Sequence, residues 1–258
     1  MSLVGARLAV LPSVYLRAQG DLSHSWLSVS ETSIFAHQRS AGAPEVRRLL
    51  DTAPRHWLFV LEAGVEYDNR DSELVTRAGS YHHLRVRYSP GLDGGAHRYG
   101  QLNLTVRHWR TIRGWRPWTV GARLVGDALV GSPPIYELTR IDDSSVVGGG
   151  TGIRGVPAQR YYGKIKLFAN VEAHTELWRF WIGTKPFVLS PVLFVDGGRV
   201  WTDHGFHPEL DGTGLGLKYG LGGGVRLQQG TTFVVRGNVA WSPDAEPVGV
   251  YFNAGQLF

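Results

Sequence analysis

Leu215-Gly216-Leu217-Lys218-Tyr219-Gly220-Leu221-Gly222-Gly223-Gly224-Val225-Arg226-Leu227-Gln228 alternates with a period of two. Leu215, Leu217, Tyr219, Leu221, Val225 and Leu227 fall on one face, and Gly216, Lys218, Gly220, Gly222, Gly224, Arg226 and Gln228 on the other, with Gly223 the gap in the apolar row. Successive side chains of a strand point to opposite sides, so the stretch reads as a strand. At about 3.3 Å per residue it spans roughly 45 Å, long for a globular protein. A membrane-crossing strand needs about nine to eleven tilted residues plus extensions into its loops.

The same alternation recurs upstream. Ile165, Leu167, Ala169, Val171 and Ala173 oppose Lys164, Lys166, Asn170, Glu172 and His174. Phe233, Val235, Val239 and Trp241 oppose Thr232, Arg236 and Asn238, and Leu102, Leu104 and Val106 oppose Gln101, Asn103, Thr105 and Arg107. Trp57, Phe59, Leu61, Ala63, Val65 and Tyr67 oppose Glu62, Glu66 and Asp68. Two environments produce such a pattern: a sandwich with a dry core, or a barrel with lipid outside and polar groups inside. Strand length favours the barrel, as does a polar face of Lys, Arg, Glu and Asn among glycines. Tyr161, Tyr162, Trp178, Trp181, Trp201 and Trp241 are expected to form interfacial girdles. In lipid every backbone group must pair, so such a sheet must close on itself or on a partner.

Composition agrees. Of 258 residues, 43 % are hydrophobic, yet no apolar run is long enough for a transmembrane helix. Charged residues make up only 19 %, and there are 34 glycines and nine tryptophans. The absence of cysteine rules out thiolate metal sites. A net charge of +5 without a run of like charges argues for lipid rather than nucleic acid as the anionic surface met. Met1-Ser2-Leu3-Val4-Gly5 lacks the features of a secretory signal.

Strands are expected near 3–11, 14–23, 57–68, 80–89, 99–110, 117–129, 161–176, 187–201, 214–228, 231–242 and 248–258, eleven in all, or twelve with a miscount of one. The long connections 24–56, 130–160 and 202–213 fall at one end, and the turn regions at 68–79, 177–186 and 229–230 at the other. By that parity the first strand begins on the loop side. Bacterial barrels normally have an even number of strands and both ends on the turn side. The reading is therefore one barrel domain over 1–258 from which upstream strands are missing.

Several motifs resemble those of a known family. Gly152-Ile153-Arg154-Gly155-Val156 resembles the Val-Arg-Gly-Phe/Tyr loop of the superfamily of BamA and the two-partner-secretion transporters, also called the bacterial surface antigen family. It departs at Val156, where the family has an aromatic. Phe194-Val195-Asp196-Gly197-Gly198 matches that family's Phe-x-Asp-x-Gly element, and Glu172 its acidic residue on the strand between. Tyr67-Asp68-Asn69-Arg70-Asp71 with Thr76-Arg77-Ala78-Gly79-Ser80-Tyr81 is similar to a family turn, and Pro134-Ile135-Tyr136-Glu137-Leu138 is also family-like. The terminal Tyr251, Phe252, Gly255 and Phe258 resemble the strand read by the outer-membrane assembly machinery.

The resemblance implies an antiparallel outer-membrane barrel corresponding to strands 6–16 of a sixteen-strand barrel, with front strands and periplasmic POTRA domains absent. It implies that Arg154, with Gly155, folds into the lumen and pairs with Asp196, near Glu172 and Gly198. Separation beyond about 6 Å, outside direct or one-water contact, would refute that pair. The implied partners are outer-membrane lipid including lipopolysaccharide, unfolded outer-membrane or secreted clients, and the assembly machinery, with no nucleic acid. The implied activity is insertion or translocation of proteins in the bacterial outer membrane. The rivals are a passive channel and a truncated or anchoring barrel.

No catalytic residues or cofactor are expected. His82 and His83 are adjacent and face opposite sides of a strand, so they cannot chelate together. His204 and His207 share a loop with Asp203, Glu209 and Asp211, which reads as solvated loop ahead of metal site. There is no Gly-x-Ser-x-Gly elbow, and the glycine run 148–152 lacks the Gly-Lys-Ser/Thr ending of a phosphate loop.

Overall fold

A computed structural model describes residues 2–28, 36, 47, 55–92, 96–141, 146–206, 208–231, 233–243 and 248–255. It is one antiparallel sheet. The strands are β1 (Ser2–Leu11), β2 (Val14–Trp26), β3 (Arg55–Asp68), β4 (Gly79–Ser89), β5 (Tyr99–Ile112), β6 (Trp118–Gly131), β7 (Ile165–Thr175), β8 (Trp178–Ile182), β9 (Lys185–Trp201), β10 (Lys218–Gln229), β11 (Phe233–Trp241) and β12 (Gly249–Ala254). They pair in chain order, except that β7 pairs with β9 and β8 is a side branch on β9. Among the described residues the sheet is open, with β1 and β12 as its edges.

Polarity is inverted relative to a water-soluble sheet. On β5, Gln101, Asn103 and Thr105 are buried while Leu102 and Leu104 are about half exposed. On β7, Lys166, Asn170 and Glu172 are buried while Leu167 and Val171 are exposed, and on β9 Phe194 and Asp196 are buried while Leu193 and Val195 are exposed. Apolar exposure continued over strand after strand far exceeds what a soluble monomer shows, so the outer wall suits lipid.

The dry core lies inside, where connection 132–164 folds against the inner wall. Ile141, Val147, Ile153 and Val156 of the loop pack with Val125 of β6 and Phe168 of β7. Leu138, at the end of the 3-10 turn Ile135–Leu138, packs with Leu58, Val60, Tyr99 and Leu129. Curvature is sharp at β10. A Cβ on Gly222 would lie 2.0 Å from the Val239 carbonyl oxygen, and one on Gly224 would lie 2.2 Å from that of Gly237. Only glycine lets β11 fold so closely over β10.

The structure corrects several expected boundaries. The region 177–186 is a hairpin carrying the twelfth strand, β8, after a break at Glu176-Leu177. Residues 161–164 precede β7: Tyr161 and Tyr162 pack against the two loop clusters inside the lumen, not in a girdle. Trp178, Trp181 and Trp241 do face outward. Leu215 and Leu217 precede β10 and are exposed, and Arg199 Nη1 donates to the Leu215 carbonyl. Strand β12 ends at Ala254, followed by Gly255 at φ +86°.

Candidate functional site: an arginine loop held by the inner wall

The register of β7, β9 and β10 builds the site. Asp196 and Phe194 lie two residues apart on the inner face of β9, and their partners on β7 are Asn170 and Glu172. Their partners on β10 are Gly220 and Gly222, which carry no side chain. The wall thus presents two carboxylates and an aromatic ring beside a bare trough.

Arg154 fills that trough and is fully buried. Its Nε donates to Asp196 Oδ2 at 2.7 Å and its Nη2 to Oδ1 at 2.9 Å, a bidentate pair. Its backbone amide donates to the same carboxylate at 3.0 Å, and Nη1 donates to Glu172 Oε2 at 2.8 Å. The guanidinium carbon stands 3.4 Å from the Phe194 ring centroid. Such charge-assisted forks are the strong hydrogen bonds of proteins. Cation–π contact adds about 2 kcal/mol or more where water is excluded. Burial disfavours the charged guanidinium, but Asp196 and Glu172 outweigh it and hold Arg154 above the usual arginine range.

Backbone geometry explains the glycines. Gly155 adopts φ +92°, and a Cβ there would press on Trp241 and Ser242 at 3.0 Å. A Cβ on Gly220 would lie 1.7 Å from the Arg154 carbonyl oxygen. A Cβ on Gly198 would meet Phe168 Cβ at 2.2 Å, so this glycine seats the apolar cluster under the loop.

Further contacts hold the loop that motif reading does not single out. Asn170 Nδ2 donates to the Gly152 carbonyl at 2.8 Å, and Arg123 bridges Asn170 Oδ1 and the Thr151 carbonyl at 2.9 and 2.6 Å. Gly155 N donates to the Tyr251 hydroxyl at 2.9 Å, so Tyr251 faces the lumen while Phe252 points outward. Phe258 lies outside the described residues.

A second anchor holds the start of the same loop. Lys166 Nζ, fully buried, donates to Asp127 Oδ2 at 2.7 Å and to the carbonyls of Glu137 and Arg140 at 3.1 and 2.7 Å. Arg87 Nη1 donates to Glu137 Oε2 at 2.9 Å. Tyr136 bonds His56 Nε2 at 2.9 Å, and burial pushes its hydroxyl up to about 12, so it stays neutral. Their signal in the sequence is only a place on the polar faces of β3–β7 or in the Pro134–Leu138 motif.

In the loop 202–217, His204 Nε2 sits 2.7 Å from the Leu129 carbonyl, and Asp211 accepts from the amide and hydroxyl of Thr202 at 2.8 and 2.9 Å. His207 lies outside the described residues. Among the described residues no three of His, Asp and Glu converge as a metal site would require.

The Omp85 superfamily domain matches residues 15–258. Among solved structures, BamA from Haemophilus ducreyi lacking POTRA domains 1–3 is similar with a TM-score of 0.68 at 13 % identity, over 98 % of this chain and 53 % of that one. That likeness is one of fold, and the chain spans about half the length of that structure. No curated protein matches the chain.

Proposed function

The chain belongs to the Omp85 superfamily, a family of outer-membrane barrels concerned with protein insertion and transport, and from that premise we propose that it assists insertion or translocation of proteins at the bacterial outer membrane. Its surroundings are then outer-membrane lipid including lipopolysaccharide. Its clients are unfolded outer-membrane or secreted proteins, delivered with the help of the assembly machinery.

The observation that carries the proposal is Arg154 held by Asp196 and Glu172 deep inside the wall. A loop of this length loses much conformational freedom when ordered, and the ion pairs and apolar clusters offset that loss. Arg154, Gly155, Asp196 and Glu172 act as the lock of the loop, and Gly198 as its seat. The locked loop keeps the lumen side of β9–β12 in one shape while an exposed sheet edge receives a client strand by β-augmentation. A passive channel draws support from the polar lumen, but a loop packed across the inner wall works against an open pore.

The test is removal of residues 152–156, beside Arg154→Ala, in the organism that carries this chain. The readout is the amount of folded outer-membrane protein or secreted client. Loss of client with the barrel still present supports the proposal. Normal client levels in both strains reject it.

A further inference from the structure

Below the arginine loop, on the turn side, Arg226 and Arg236 face each other across β10 and β11 and both are buried. Like charges opposed on a sheet repel. Glu172 Oε2 stands 4.0 Å from Arg236 Nη1, too far for a hydrogen bond, and already accepts from Arg154. Among the described residues Arg236 Nε and Nη1 have no hydrogen-bond partner, and two residues along the same face neither amide atom of Asn238 has one. Arg236 is 4 % exposed and Asn238 1 %, so these groups have left water without replacing it. Such groups each cost a desolvation penalty.

Gly224, the register partner of Asn238, has no side chain, and the Asn238 amide lies over it: a Cβ there would stand 2.4 Å from Asn238 Oδ1. A cavity of about 130 Å³ opens beside Arg226, lined by Arg77, His174, Thr175, Glu176, Ser190 and Gln228. Ser190 is the register partner of Arg226, and His174 Nε2 is 3.4 Å from Arg226 Nη1.

We propose that this inner face binds an oxyanion, a carboxylate or a phosphate. Arg236 and Asn238 supply the open donors, and Arg226 adds positive charge. Arg236 Nε and Nη1, on two edges of the guanidinium, can each donate to an oxygen of either group, and the Asn238 amide adds a neutral donor. A bound anion also removes the repulsion between the two arginines. The inference does not depend on the transport reading and holds equally for a barrel with no client.

The experiment uses the full chain in a non-ionic detergent, following thermal unfolding in sodium phosphate, in sodium acetate and in sodium chloride at equal ionic strength. A saturable rise of the midpoint in phosphate is expected, with apparent affinity about tenfold or more weaker in Arg236→Gln. Asn238→Asp, which places a carboxylate beside Arg236, is expected to remove the response while keeping the fold, and it serves if Arg236→Gln does not fold. Stabilisation by acetate as well marks a site for protein carboxylates, and stabilisation by phosphate alone marks a phosphate site. Equal midpoints in all three salts, or a phosphate response unchanged in the variants, overturn the proposal.

Discussion

The hydroxyl of Tyr251, on the edge strand β12, accepts the backbone amide of Gly155, the residue that follows the locked arginine. The loop tip is therefore tied to β7 and β9 by charge and to β12 by a neutral hydrogen bond. Tyr251→Phe removes only the latter. It is expected to cost about 1 kcal/mol and to raise hydrogen exchange in 149–156 while β7 and β9 stay protected. Unchanged exchange in the loop would mean that the hydroxyl holds nothing.

Asp196→Ala leaves Arg154 buried beside a single carboxylate. Breaking one side of a buried pair costs about 3–5 kcal/mol, so a clear fall in unfolding midpoint in micelles is expected. Arg154→Met combined with Asp196→Leu and Glu172→Gln removes all three charges of the lock and should recover part of the loss. A double-mutant cycle with no coupling would refute the pairing energy assigned to the lock.

Gly220→Ala brings a methyl group into the Arg154 carbonyl. The loop must move, so protease cleavage within 146–160 is expected to increase sharply. Gly197→Ala on the adjacent strand is the control, because its Cβ would meet nothing closer than 3.7 Å. Equal cleavage in the two variants would show that the loop does not rest on β10.

Acid should loosen the base of the loop. Burial pushes the Asp203 carboxyl up, but the His204 amide at 2.8 Å and the Lys164 ammonium outweigh it and hold it below the usual value. With the folded value below the unfolded one, its contribution is complete above the unfolded pKa, near 4. It is lost as pH falls through the folded value. Protection of 202–206 is expected to drop between about pH 5 and pH 2, and Asp203→Asn should flatten that profile. As the carboxyl is partly exposed, the effect should stay below about 1 kcal/mol.

Alternation assigns faces, and on most strands that was enough to read the sheet. Leu102 and Gln101, or Val195 and Asp196, go to opposite sides whatever their partners. It does not assign neighbours. Lys166, Asp127 and Glu137 meet through three separate segments, and a lysine on a polar face gives no hint that Asp127 is its register partner on the next strand or that a loop carbonyl lies within reach. Arg154 and Asp196 are reachable only because short motifs flank them. Strand β8 escapes the reading because Trp178-Arg179-Phe180-Trp181-Ile182 is only five residues long and carries a single polar residue, too little to show alternation. Tyr161 and Tyr162 escape it because an aromatic beside a strand end suits a girdle and a loop core equally.

The glycines of β10 have a mechanical consequence. Where Gly220, Gly222 and Gly224 line the lumen, carbonyl oxygens of the loop and of β11 occupy the volume that side chains would need. The wall therefore has a crease along β10: to one side lie the strands bearing the lock, to the other the flap of β11 and β12. Flattening the crease would draw Val239 and Gly237 away from β10; along that line the wall offers no side chain until Arg226, which faces Arg236 across the crease.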